Sequence, residues 1–354
     1  MYVFKYVNVN ITHIDKYERK EITMSNSAAC LRLLLLDIRY YEEGIYKIIE
    51  DMVRFKPKSK IELQLALTRY LDPRYNGFNN YTIGPPEIWN TSLITDMSYL
   101  FEEATKYIIN PDYLNFNING WDVSKVTNME GMFAHCIKFN SPLDKWDVSK
   151  VTNMKLMFWY CHQFDQNINS WDTSSVTDMD SMFWHCYNFN KPLDNWDVRG
   201  ITNLQYMFAS CHKFNQNINS WEVQDVVNME YMFFKCNEFN QPLNNWDVSS
   251  VTEMASMFQN CYKFNQPLDK WKVGKVQQME FMFSGCENFD TNLNTWEVSN
   301  VQDMKHMFFD CYDFTPSSTD SWNICRRTDT EDMWSGWWTK DEESEYYDYD
   351  PMDY

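Results

Sequence analysis

The sequence predicts an α/β repeat solenoid, and three observations predict it. Tryptophan returns every 25 residues, at Trp121, Trp146, Trp171, Trp196, Trp221, Trp246, Trp271 and Trp296. Cysteine keeps the same period, at Cys136, Cys161, Cys186, Cys211, Cys236, Cys261, Cys286 and Cys311. Between them recurs a segment such as WDVSKVTNMKLMFWYCHQFDQNINS (146–170), with no slippage of register. A fixed period of this length marks stacked units, each burying its apolar face only against its neighbours.

Residues 1–80 form the first region. Alternation over 2–11 predicts a strand, with Val3, Lys5, Val7, Val9 and Ile11 on one side. The leucine-rich run LRLLLL at 31–36 places a buried helix over 27–41, and a second helix is expected over 45–55 beyond Gly44. Ser59 and Glu62 form the capping pattern Ser-x-x-Glu ahead of an apolar run. Ile61, Leu63, Leu65, Leu67, Tyr70 and Leu71 would give that helix a broad apolar face. Its place just before the repeats predicts a helical N-terminal cap, because an open end exposes a raw core. The turn-rich stretch DPRYNGFNNYTIGPP (72–86) marks the boundary.

The repeats occupy 81–338, in about ten coils. WNTSLITDMSYLFEEA, starting at Trp89, aligns with WDVSKVTNMEGMFAHC, with Ala104 in the cysteine position. Seven extra residues at 106–112 (KYIINPD) predict a loop on one edge. Eight regular coils follow. In the last, degenerate coil Trp322, Ile324, Met333 and Trp334 keep the pattern one residue late. Residues 339–354 read as a disordered tail in which seven acids stand against one lysine.

Within a coil, Leu143-x-x-Trp146-x-Val148 matches L-x-x-L-x-L, the strand pattern of leucine-rich repeats. Leu143, Trp146 and Val148 would point inward from one short parallel strand, with Lys145, Asp147 and Ser149 on its exposed face. Met154, Met157, Phe158 and Cys161 fall at i, i+3, i+4 and i+7 and predict one short helical turn, capped by Thr152 or Asn153. Phe164 closes the coil.

The consensus WDVSxVTNMxxMFxxCxxFNxPLxx resembles the BspA-like leucine-rich repeat, over residues 89 to about 338. RFKPKSKIELQLAL also resembles the segment that commonly precedes such repeats. The family is found in bacterial and mycoplasma surface lipoproteins and in giant DNA viruses. The resemblance implies a right-handed, non-catalytic binding solenoid. With no signal or lipid-attachment cysteine recognised, it points to the viral or intracellular branch.

The formal charge is −19, yet residues 1–80 hold 13 Lys+Arg against 10 Asp+Glu, so the acidity lies in the repeats and the tail beyond them. An acidic body disfavours nucleic acid and favours a protein partner with a basic surface. No apolar run of 18 residues exists to insert in a membrane, and early charges argue against an export signal. The expected location is cytoplasmic, or the virion if the protein is viral. The eight cysteines of one column read as buried thiols; disulfides between coils and zinc are the competing readings. Zinc is disfavoured by the absence of a CxxC pair, and no metal or cofactor is expected.

One column is a candidate binding surface: Asp122, Asp147, Asp172, Asp197, Glu222, Asp247 and Glu297, interrupted by Lys272. In-register like charges repel, so this column is either a set of Asx turns onto Ser124, Ser149, Ser174 and Ser249 or a ligand-facing stripe. The two readings are compatible. The asparagine column (Asn140, Asn190, Asn215, Asn240, Asn265) predicts a ladder that satisfies turn backbone. The six histidines form no nucleophile–base pairing and no phosphate-cradling glycine loop exists, so an enzyme is not expected. The leading expectation is an interaction scaffold, monomeric unless it associates end to end. A cell-surface adhesin and a substrate receptor of a ubiquitin ligase, docking through the N-terminal helices, are the alternatives.

Overall fold

The computed structural model describes residues 54–71, 83–105 and 115–334. The chain divides into two compact units, Met1–Val53 and Arg54–Tyr354, and every described residue belongs to the second. The strand expected over 2–11, the helix over 27–41, the insertion at 106–112 and the acidic tail lie outside the described residues.

Helix α1 (Lys60–Leu71) opens the unit. Ser59 Oγ accepts the N–H of Glu62 at 3.2 Å, and the Glu62 carboxylate accepts the N–H of Lys58 at 2.8 Å, so the first turn is capped from both sides. Leu63, Ala66, Leu67 and Leu71 are buried, whereas Ile61 and Leu65 are 69% and 52% exposed. The apolar face is therefore narrower than expected. At 3.6 residues per turn, Leu63, Leu67 and Leu71 share a stripe from which Leu65 points away. This stripe packs on α2 (Leu100–Thr105) in the first coil. Phe55 and Tyr70 meet Trp89 edge-on, with centroids 5.1 and 6.4 Å away, and so cover the first ring of the tryptophan column.

Beyond α2 the coils contain neither a multi-residue strand nor an α-helix among the described residues, only a short 3-10 helix at Pro316–Thr319. Each coil is a succession of tight turns. In one coil the N–H groups of Trp146, Val151, Met157, Cys161 and Phe164 donate to the carbonyls of Leu143, Val148, Met154, Phe158 and Cys161. Alternate N–H groups, those of Met154, Leu156, Phe158 and Tyr160, donate forward to Asp178, Asp180, Met182 and Trp184 of the next coil, all at 2.9 Å. Along this segment, then, a coil gives N–H groups to its successor and carbonyls to its predecessor.

Two details of the expected coil are corrected by this geometry. The parallel pairing lies seven residues after the tryptophan, not across 143–148: Asn128 pairs with Asn153, Asn153 with Asp178, and Asn203 with Asn228, each as an isolated bridge. The row is interrupted between Asp178 and Asn203, next to Gly200, whose φ is +80°. And 154–161 is not a helical turn. Leu156 and Tyr160 have φ of +56° and +61°, and the same two positions are left-handed in coil after coil. Left-handed L-residues cost roughly 1–2 kcal/mol each. They are held here because their N–H groups complete the forward ladder, which a continuous helix would withdraw. The i, i+3, i+4, i+7 spacing still buries Met154, Met157, Phe158 and Cys161, since two successive turns aim the same positions inward.

The interior is made of columns. Phe158 lies 5.6 Å from Phe183 and 4.0 Å from Phe164, and the arrangement repeats through Phe283, Phe308 and Phe314. At the far end Trp322 stacks on Trp296 at 6.1 Å, and Asp329 pairs with Asp303 at a spacing of 26.

Candidate functional site

Position 147 of the repeat sits between two buried neighbours, Trp146 and Val148, and its side chain turns outward. Asp122, Asp147, Asp172, Glu222, Asp247 and Glu297 are exposed, as is Lys272, while Asp197 is half-buried. The aspartates do close Asx turns. Ser149 donates both its N–H (3.2 Å) and its hydroxyl (2.6 Å) to Oδ1 of Asp147, and Ser124 and Ser174 do the same to Asp122 and Asp172. Both bonds converge on one oxygen. Among the described residues Oδ2 of these three carboxylates takes no hydrogen bond. The hydroxyl and N–H of Ser149 hold the Asp147 carboxyl below its ordinary range, and Ser249 does so for Asp247, with Lys272 adding to the effect. Asp197 is different: Arg199 binds both of its oxygens and neutralises it.

A flanking column three residues earlier escaped the sequence reading. It mixes amide and acid, and where asparagine precedes aspartate the two pair: Asn119 donates to Asp144 at 2.8 Å, Asn169 to Asp194 at 2.9 Å and Asn244 to Asp269 at 2.9 Å. The 25-residue spacing of Asp144, Asp194 and Asp269 from asparagines was the available signal. These carboxylates widen the acidic face beside the Asp147 column. The asparagine ladder at 140 also forms across coils: Asn140 Oδ1 accepts the N–H of Asp165, and Asp165 accepts that of Asn190, both at 2.9 Å.

Beneath this face run the two ladders first seen in the sequence. Trp146 and Trp171 stack 6.4 Å apart and 4° from parallel, a relation repeated to Trp271 and Trp296. The indole N–H groups of Trp121, Trp146, Trp171, Trp196, Trp221, Trp246, Trp271 and Trp296 all donate to a carbonyl of the preceding coil. All eight column cysteines are buried free thiols. Cys161, Cys186, Cys211, Cys236, Cys261, Cys286 and Cys311 donate to phenylalanine carbonyls of the preceding coil at 2.8–3.1 Å, and Cys136 lies 3.7 Å from the Ala134 carbonyl. Burial pushes every one of these thiols up.

A second aromatic cluster, with Trp184, Ala209 and Phe234 buried, was not anticipated. On the outer turns Trp159, Trp184, Tyr206 and Tyr231 stack in sequence, at 5.8, 4.7 and 4.6 Å. Four of the six histidines join them: His135 beside Trp159, His185 beside Tyr160, and Tyr187 between His162 and His212. Burial lowers His135, His162 and His212, and neighbouring imidazoles add to the effect. Only their repeat positions (135, 160, 162) carried the signal, and those positions vary from coil to coil.

Among the described residues no His, Cys, Asp and Glu groups are placed to hold a metal ion, and no helix is long and apolar enough to cross a membrane. The sequence finds no match among curated proteins, and none among solved structures. Residues 74–191, 161–261 and 232–346 match one family in three overlapping stretches that span the tryptophan and cysteine columns. On that match the chain belongs to the repeat family described as Mycoplasma protein of unknown function, DUF285.

Proposed function

We propose that the chain is a right-handed solenoid of BspA-like leucine-rich repeats that serves as a non-enzymatic protein–protein interaction scaffold, inside a cell or within a virion, for a partner with a basic surface. The observation that carries this reading is the division of work within Asp122, Asp147 and Asp172. Oδ1 closes the turn and Oδ2 is left to solvent, so the structural and the binding roles do not compete. Like charges in register on neighbouring coils repel by a few tenths of a kcal/mol or more. A cationic partner relieves that repulsion on docking. The buried thiol column favours a reducing compartment over an exported one.

The test is a triple substitution, Asp122→Asn, Asp147→Asn and Asp172→Asn. Asparagine keeps the turn acceptor and removes the charge. Full-length wild type and variant are used as baits in the native source at low and high salt, with bound proteins identified by mass spectrometry. A basic partner should be retained by wild type, released as salt rises and lost by the variant, because exposed charges are screened beyond ~10 Å at 0.1 M salt. Equal retention by both baits rules the stripe out as the binding face.

A further inference from the structure

Charge is unevenly placed along the chain. Residues 54–71 hold five Lys+Arg against the single acid Glu62, whereas residues 81–354 hold 18 Lys+Arg against 40 Asp+Glu. Helix α1 lies at the basic end. Its buried stripe of Leu63, Leu67 and Leu71 is turned onto the first coil, so Ile61 and Leu65 face away from the coils, at 69% and 52% exposure. No other large apolar side chain among the described residues is as exposed. Arg69 follows Leu65 by one turn on the same row, and Lys56 and Lys58 stand just ahead of the helix; all three are exposed. The acids near this end are turned elsewhere. Glu62 accepts the N–H of Lys58, Asp96 and Ser98 engage Lys60, and Glu87 lies towards Tyr70.

We infer that the outer face of α1 seats the chain on an anionic lipid surface, with Ile61 and Leu65 entering the headgroup boundary and Lys56, Lys58 and Arg69 meeting the charged headgroups. An apolar row flanked by basic side chains binds such an interface through apolar burial and charge attraction at once. The same surface repels the acidic repeats, so both ends of the charge distribution favour contact through α1 and leave the Asp147 stripe to its partner. A stable protein interface needs about 1,000 Å² of matched surface. Helix α1 is about 18 Å long and offers two aliphatic side chains on a convex face. A lipid surface adapts its shape to such a face. A second copy would offer its acidic columns, where Asp144, Lys145 and Asp147 are the exposed side chains and give Ile61 and Leu65 no apolar counterpart. The inference does not depend on the proposed scaffold function.

The full-length chain is sedimented with phosphatidylcholine vesicles, with and without phosphatidylserine, at low and high salt. Wild type is expected to bind only the vesicles that contain phosphatidylserine and to leave them as salt rises. Lys56→Gln with Lys58→Gln and Arg69→Gln should weaken binding about a hundredfold, at about fivefold for each charge. Ile61→Ser with Leu65→Ser should weaken it about tenfold. Both sets leave the buried stripe of α1 intact and should keep the wild-type thermal midpoint. If either melts lower, the single substitutions Ile61→Ser and Arg69→Gln carry the comparison. No binding by wild type, equal binding to both kinds of vesicle, or wild-type affinity in either variant overturns the inference. Sedimentation velocity without vesicles addresses the competing occupant. Self-association of wild type that the Ile61→Ser, Leu65→Ser chain lacks gives this face to a second copy and overturns the lipid assignment.

Discussion

The indole N–H of Trp171 donates to the carbonyl oxygen of Leu143, 28 residues earlier, at 3.0 Å. This bond ties each coil to its predecessor at a buried point. Trp171→Phe keeps a ring in the stack and leaves the Leu143 carbonyl without that donor. That carbonyl keeps the N–H of Trp146 at 3.2 Å, so what is lost is one hydrogen bond, about 0.5–1.5 kcal/mol. Urea unfolding of the variant should show a loss of that size. Trp322→Phe, at the half-buried end of the column, should cost less. An equal loss at both positions would mean that ring volume, not the bond, carries the effect.

The left-handed positions make a second contrast. Gly131 has φ +55° and its α-carbon faces the ring of Tyr99, whereas Gly200 has φ +80° and open space around it. Gly131→Ala therefore meets both a backbone penalty and a collision. Gly200→Ala meets only the backbone penalty, roughly 1–2 kcal/mol. Thermal denaturation should rank Gly131→Ala well below Gly200→Ala. The reverse order would place the strain of this fold elsewhere.

The tryptophan and cysteine columns were legible because burial is a one-residue property repeated without slippage. Trp146, Met154, Phe158, Cys161 and Phe164 needed no correct backbone to be assigned inward. The backbone itself was not legible. Leu156 and Tyr160 are left-handed without being glycine, and nothing in a leucine or a tyrosine announces that. Their conformation comes from hydrogen bonds to Asp180 and Trp184 in the next coil, a context that local spacing does not carry. The same holds for the candidate surfaces. The Asp147 column could be read from one period, because every coil repeats it. The ridge depends on which coils hold rings and which hold Gln259 or Ser284, so it emerges only when coils are stacked.

The thiols should divide by burial. Of the nine described cysteines, Cys325 alone is exposed, and the eight column thiols are buried and shifted away from the reactive thiolate. Brief alkylation of native protein, followed by peptide mapping, should mark Cys325 and leave the column unmodified. After denaturation without reductant all eight should react. Failure of column cysteines to react at that stage would reveal disulfides and remove the argument for a reducing compartment.

The histidine ridge predicts how stability responds to mild acid. His135, His162 and His212 are held below the ordinary value, about 6.5, chiefly by burial, with Glu102 opposing this at His135 and Lys235 adding to it at His212. The unfolded chain then takes up protons first as pH falls. Their contribution to stability is full above about pH 6.5 and is lost as pH falls through the folded-state values. Glu230 and Glu280 are raised by burial and by acidic neighbours, so they act in the opposite sense and stabilise the fold as pH falls. The two effects separate by substitution. His162 Nε2 is buried without a hydrogen-bond partner among the described residues, and its ring stacks on Tyr187 at 4.2 Å. His162→Phe with His212→Phe keeps both stacks on Tyr187 and removes two titrating groups. The wild-type melting temperature should drop between pH 7 and pH 5.5, and the drop should shrink in the double variant. An undiminished drop would assign the acid sensitivity to groups outside the ridge.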